Sequence, residues 1–438
     1  VTSSENEISS PPPGFKALTL HNWRQFEKVE IDFHPHLTIL TGANATGKST
    51  ILGILGRHFN WSQSYSASPV RRDGKDDVEW WTFWKQKVDE QDDTTVVSEP
   101  MVEIGSLTYG FGEPAPISVP TRPSNESQRS NYDLHMPHAQ EVKGAFLTSH
   151  RSMTNSYTQV DTIPTLFGDA NQIFEQFTNE LRVRWAGSWS GKSPQRALKE
   201  SLIAAATFGG RGNDSVDFNP EATAVWTGFQ EVLKEVMPRS AGYTGMRVRV
   251  PDVIVQMRSG DFILDDVSGG LSAIIEVSWQ IFLKSRTEPS FTVLLDEPEN
   301  HLHPSLQREI LPSLLRAFPA VQFIVATHSP FVVTATPDSA VYALDYNESE
   351  RVESRLLDYA NKAASADATL RRVLGVESTM PRWAEEAFDE IVDRYASGPL
   401  DAERLRSLRN ELKERGLDME FPDAVIALTD RDNPGTSA

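Results

Sequence analysis

The stretch from His36 to Phe59, "HLTILTGANATGKSTILGILGRHF", constrains this chain more than any other. A short apolar run ends in glycine, a loop of small residues follows, and an apolar run with helical spacing starts at Lys48. Gly42, Ala43, Asn44, Ala45, Thr46, Gly47, Lys48, Ser49 and Thr50 carry the spacing G-x-x-x-x-G-K-[ST]. A strand that feeds such a loop into a helix aims several backbone N–H groups, and the positive end of the helix, at one point. That point suits a phosphate. Lys48 would reach the β- and γ-phosphates of a nucleotide, and the Ser49 hydroxyl would bind Mg2+.

Three later stretches complete the chemistry. "FTVLLDEPENHLHP" is an apolar strand ending in Asp296 and Glu297. Asp296 can hold the Mg2+ shell, and Glu297 can orient or deprotonate a water. "VQFIVATHSP" is a second buried strand, ending in Thr327 and His328. It follows the acidic strand by one helix, so a parallel sheet sets His328 beside Glu297 at the same carboxyl edge, in reach of a γ-phosphate. "LDDVSGGLSAIIEV" opens an apolar helix on Ser268, Gly269 and Gly270, although glycine there costs about 1 kcal/mol relative to Ala. Bare amides and a serine hydroxyl at a helix N-terminus form a second anion site. The P-loop already serves its own nucleotide, so this second site would face another subunit. Two chains would then sandwich two nucleotides.

Strands and helices alternate at both ends of the chain, which implies an α/β core whose halves come from opposite ends. The expected division is a disordered tail over 1–14 and an N-terminal ATPase-type lobe over 15–163 with an antiparallel β subdomain. A helical insert over 164–240, a C-terminal lobe over 241–346 and a helical C-terminal region over 347–438 complete it. "VTSSENEISSPPPG" has neither the basic nor the apolar region of a signal peptide, and "TRPSNESQRSN" reads as a mobile loop.

Composition removes several classes. There is no cysteine, so disulfides, thiolate zinc sites and cysteine nucleophiles are excluded. No apolar run approaches transmembrane length, and a cytoplasmic location with no membrane contact is the expectation. The net charge of −19 opposes a protein that coats nucleic acid with its whole surface. A local basic cluster remains: Arg182, Arg184, Lys192, Arg196 and Lys199, interleaved with Trp185 and Trp189. A solvated helix face with the two tryptophans buried is the better reading of it than a binding patch.

Together the motifs resemble those of ABC-type ATPases, and within them the SMC-like and RecF-like branch. Gly42 to Ser49 match the Walker A, Val267 to Gly270 the signature, Asp296-Glu297 the Walker B, and His328 the switch histidine. "ENHLHP", "FLTSHR" and the helical tail are similar to the ATPase subunits of Septu-type and retron-linked anti-phage systems. The resemblance implies an ABC-type P-loop ATPase head with ATP and Mg2+ as cofactors, ATP-sandwich dimers or larger assemblies, and a separate effector, a nuclease, as partner. A RecF-like DNA-binding clamp and an ATP-binding scaffold with little turnover are the alternatives, so DNA stays a candidate partner. Two departures bear on the rate of hydrolysis: Ala45 stands where a second glycine is usual, and Leu271 closes the signature in place of Gln or Glu. His150, Arg151 and Gln159 all stand where a Gln-loop belongs, and Trp23 and Arg24 are placed to flank an adenine. His301-x-His303 has the spacing of a metal pair, but the resemblance explains it as the loop that crosses the dimer interface.

Overall fold

Three runs are buried at every position: Leu37–Gly42, Phe291–Asp296 and Val321–Ala326. A strand that is buried throughout needs cover on both faces, which places all three at the centre of a parallel sheet. The computed structural model describes residues 14–71, 78–82, 101–121, 131–152, 156–162, 167–188, 192–210, 216–358, 365–374, 378, 380–396 and 401–432. Residues 1–13, most of "TRPSNESQRSN" and Trp189 lie outside them.

The chain first builds β1 (Phe15–Trp23), β2 (Phe26–Asp32), β3 (Leu37–Gly42) and helix α1 (Lys48–Gly56). Short strands β4 (Tyr65–Ser66), β5 (Ser68–Arg71) and β6 (Val78–Trp81) precede β7 (Met101–Tyr109) and β8 (Ala115–Pro120), and β9 (Asn131–Tyr132) precedes β10 (Gly144–Leu147). Helices α2 (Ala170–Trp185), α3 (Pro194–Phe208) and α4 (Pro220–Val236) follow. Then come β11 (Tyr243–Arg249), β12 (Asp252–Met257), β13 (Gly260–Ile263), α5 (Gly269–Ser285) and β14 (Phe291–Asp296). The connection after β14, expected to be one helix, holds two pieces, α6 (Pro304–Gln307) and α7 (Ile310–Ala317). After these stand β15 (Val321–Ala326), α8 (Pro330–Val333), β16 (Ala340–Tyr346) and β17 (Val352–Leu356).

Ten strands join in one sheet, ordered β10-β14-β15-β3-β16-β17-β2-β1-β7-β8. From β10 to β16 all neighbours are parallel. Beyond β16 the sheet is mostly antiparallel, through the β1–β2 hairpin to β7 and β8. The fold is an α/β head with an antiparallel wing, and the wing continues the main sheet. Strands from both chain ends interleave in it: Asp296 pairs with Ala326, and Ala326 with Leu40. The ends of β3, β15 and β14 therefore stand in one row. β17 lies in the same sheet, although its residues fall within the stretch 347–438 expected to be helical.

Each helix of the α2–α4 group begins on a side-chain cap: Asp169 accepts from Gln172 N, Ser193 from Arg196 N, and Asn219 from Glu221 N and Ala222 N. α5 is the hub. It packs on β10, α2 and α4, and its Trp279, fully buried, meets the Phe229 ring edge-on at 4.8 Å. An apolar helix so enclosed cannot shift without opening the core around it.

The chain divides into two units, 1–369 and 370–438, with the short helix α9 (Ala366–Arg372) at the division. The second unit has its own core, in which α10 (Arg382–Tyr395), α11 (Ala402–Glu414) and α12 (Phe421–Asp432) bury Phe388, Ile391, Leu408, Leu412 and Leu428.

Candidate functional site

The loop between β3 and α1 is held open by its backbone. Gly47 has φ 97°, and a Cβ there would lie 2.4 Å from Gln25 Nε2 and from the Phe26 ring, so the β1–β2 turn closes directly over it. Ala45 takes φ 64°, a left-handed conformation that a glycine adopts freely and an alanine only at some cost. Lys48 folds back onto this loop. Its Nζ donates to Gly42 O at 2.9 Å, Ala43 O at 2.8 Å and Thr46 Oγ1 at 3.4 Å. Burial lowers its pKa to about 8, against the pull of Asp296, Glu297 and Glu299. A buried ammonium held by neutral carbonyls gains strongly from an arriving phosphate.

The acids stand opposite. Ser49 Oγ donates to Asp296 Oδ1 at 3.3 Å, bringing together the hydroxyl and carboxylate expected to share Mg2+. Burial, and then Glu297, push the Asp296 pKa up to about 6. Such a carboxylate is short of positive charge, and a divalent ion would supply it. Glu297 has φ 47°, strain of the kind that gathers at working sites, and its N–H is pinned to Ala326 O at 2.9 Å. Its Oε2 accepts from Asn300 Nδ2 at 2.9 Å, and its Oε1 lies 3.8 Å from His328 Nε2. Burial and nearby Lys48 lower the His328 pKa, so the imidazole is neutral at pH 7 and free to exchange one hydrogen bond for another.

Among the three Gln-loop candidates, the structure brings Arg151 to the site and leaves His150 and Gln159 exposed. The guanidinium donates to Thr148 O, to Asp296 O at 3.2 Å and to Glu297 O at 3.1 Å, and so fixes the carbonyl edge of the acidic strand end. Sequence reasoning passed over Glu299 and Asn300. Their one signal was polar residues crowded just past a buried strand end. Trp23 does not flank an adenine: it is fully buried, with Nε1 donating to Tyr132 Oη at 2.9 Å. Arg24 is exposed on the turn above the loop, over the Trp23 and Tyr65 rings.

The start of α5 has two unlike glycines. A Cβ on Gly270 would lie 2.9 Å from His301 O, so this glycine permits the loop after β14 to approach. A Cβ on Gly269 would meet nothing within 4 Å. Ser268 is the N-cap residue, yet its hydroxyl makes no capping bond and it is exposed. An uncapped helix start with bare, exposed amides is available to an outside anion. Three residues earlier, Asp265 anchors this segment. Its buried carboxylate meets Lys199 Nζ at 2.5 Å and accepts from Gln195 Nε2 at 2.8 Å and Thr158 N at 3.0 Å.

The basic cluster is divided among separate acidic partners, and Trp185, expected to be buried, is exposed because it ends α2 at the surface, while Trp189 lies outside the described residues. Lys199 is fully buried, Arg196 bonds Glu200 at 2.8 Å, Lys192 lies 3.3 Å from Glu200 and Arg182 lies 3.7 Å from Glu175. No group of three or more metal-ligating side chains occurs among the described residues, and His303 Nδ1 is engaged with Ser305 at the start of α6. No helix among the described residues is long and apolar enough to cross a membrane.

Two family models match: "AAA domain, putative AbiEii toxin, Type IV TA system" over residues 259–334, and "AAA domain" over residues 17–57. The Septu protein PtuA of Bacillus thuringiensis is 22% identical over 404 residues, covering 86% of this chain and 88% of that protein. The Septu protein PtuA of Bacillus mycoides (strain KBAB4) is 29% identical over 161 residues, 35% of this chain but only 22% of that protein. The Retron Ec83 probable ATPase of Escherichia coli is 46% identical over 52 residues, 12% of this chain and 10% of that protein. Among solved structures, an SMC head bound to the C-terminal winged-helix domain of ScpA covers 80% of this chain and 99% of its own, at TM-score 0.42 and 15% identity. The likeness to the ATPases of Septu and retron systems, read from the motifs, is matched by the Septu and retron relatives.

Proposed function

We propose that this chain is a Mg2+-dependent ATPase that closes on ATP into a sandwich dimer or larger assembly and so regulates a partner effector, a nuclease, in bacterial anti-phage defence. One observation carries the reading: Lys48, the Ser49–Asp296 pair and the Glu297–His328 pair converge from three adjacent strand ends. The P-loop, residues Gly42 to Thr50, would hold the phosphates, and Ser49 and Asp296 would hold the metal. Mg2+ supplies charge neutralisation at the β- and γ-phosphates. Glu297 accepts the proton of the attacking water, and the neutral imidazole of His328 donates to a γ-phosphate oxygen. Lys48 exchanges its loop carbonyls for phosphate oxygens. Ser268 and the amides of Gly269 and Gly270 cap the γ-phosphate held by a second copy. The similarity to Septu and retron proteins supports defence as the setting, and the cytoplasm is where such a chain would act. The paired state of Arg182, Lys192, Arg196 and Lys199 gives the DNA-clamp alternative no support.

Sedimentation of wild type and Glu297→Gln, with and without ATP-Mg2+, alongside phosphate release, tests the reading. The expected result is ATP-dependent association, transient in wild type and persistent in Glu297→Gln, with turnover lowered at least about a hundredfold in the variant. A fixed oligomer without turnover would leave ATP as a structural ligand.

A further inference from the structure

The backbone that carries His328 is not held by its own strand alone. Glu299, buried just past the acidic strand, spends a single oxygen on it. Glu299 Oε1 accepts from Thr327 Oγ1 at 2.6 Å, from His328 N at 2.8 Å and from Ser329 N at 3.1 Å. The second oxygen, Oε2, is buried with no hydrogen-bond partner among the described residues. A second tie runs in parallel: Ser329 Oγ donates to Gln307 Oε1 at 2.6 Å, and Gln307 Nε2 donates to Leu302 O at 2.9 Å. The loop from Glu297 to Gln307 and the turn Thr327–Ser329 are therefore stitched together. Consecutive N–H groups facing one carboxylate oxygen make a charge-assisted clamp; an amide oxygen would accept the same bonds without the charge and would set its NH2 at the buried position of Oε2, where no partner stands among the described residues.

We infer that Glu299 is a positioning residue: its carboxylate fixes the turn Thr327–Ser329 so that the His328 imidazole stands against Glu297 and the γ-phosphate position. The inference rests on the proposed ATPase reading. Glu299 touches no phosphate, metal or water in it and acts through His328. The same clamp joins His328 to the loop that starts at Glu297 and brings His301 O against Gly270.

The test is a cycle of Glu299→Gln, His328→Ala and the double variant, with steady-state hydrolysis and ATP affinity measured for each. Glu299→Gln should lower kcat about tenfold or more while KM and ATP affinity stay within about twofold, because the P-loop is untouched. The double variant should hydrolyse ATP no more slowly than His328→Ala alone. Losses that multiply, or a Glu299→Gln variant with wild-type kcat, would overturn the inference. If Glu299→Gln fails to fold, Thr327→Val removes one of the three donors and should give a smaller loss, again absent in the His328→Ala background. The imidazole NMR resonance of His328 provides a readout independent of turnover. Should wild type bind ATP and never hydrolyse it, the ATPase reading falls, and this resonance still decides: unmoved in Glu299→Gln, it rejects the clamp, and displaced, it supports it.

Discussion

Asp296 shows how one buried carboxylate ties stability to ligand. Its folded pKa, about 6, exceeds the ordinary value of 3.8. The folded protein therefore holds this proton more tightly than the unfolded chain, so between those values stability falls as pH rises. Above pH 6 the whole penalty remains, roughly 1.4 kcal/mol for each unit of the rise. Asp296→Asn removes the charge, and should raise the melting temperature of the nucleotide-free protein at pH 8 but hardly at pH 4. The same variant should lose its response to Mg2+, since the amide cannot replace the carboxylate. Melting curves at the two pH values, with and without ATP-Mg2+, check both halves; a destabilised variant at pH 8 would contradict the argument. Asp296, Glu297, Lys48 and His328 were legible in the sequence because each sits at a fixed offset from a buried strand or a glycine. Glu299 was not, and Arg151 stood only as one of three candidates, because their contacts depend on which carbonyl or N–H lies across a turn, and spacing carries no such information.

At the scale of elements, the first turn of α5 separates a packing glycine from an exposed one. Gly270→Ala would drive a Cβ against the backbone oxygen of His301, and should cost about 1–3 kcal/mol in the isolated chain. Gly269→Ala meets open space and should leave stability unchanged or raise it by up to about 1 kcal/mol. If Gly269 receives the nucleotide of a second copy, that harmless methyl should still weaken ATP-dependent association at least about tenfold. Thermal melts read the first effect and sedimentation with ATP-Mg2+ the second. A Gly269→Ala chain that both melts and associates like wild type would remove this helix start from the interface. The helix itself was readable from its apolar run. The reason for its second glycine was not, since the His301 carbonyl that meets it comes from the loop after β14, far along the chain.

For the whole molecule the dominant quantity is a net charge of −19. Two such chains repel as they close, and the repulsion is screened over about 8 Å at 0.15 M salt but reaches about 30 Å at 0.01 M. Proposed ATP-driven association should therefore tighten as salt rises across that range, the opposite of what binding to DNA does. Sedimentation of Glu297→Gln with ATP-Mg2+ across a salt series decides it, and association that weakens steadily with added salt would point to an interface made by opposite charges. By itself, the sequence determined the α/β class, the strand–glycine loop–helix unit at Gly42–Ser49 and the acidic and histidine strand ends, because contiguous residues carry each of these. Tertiary structure alone decided the rest. It buried Trp23, took Lys199 out of the basic cluster by pairing it with Asp265, drew β17 into the sheet and set Glu299 under the His328 turn. Each of these depends on a partner far away in the chain, and local periodicity cannot say which distant group a buried side chain will meet.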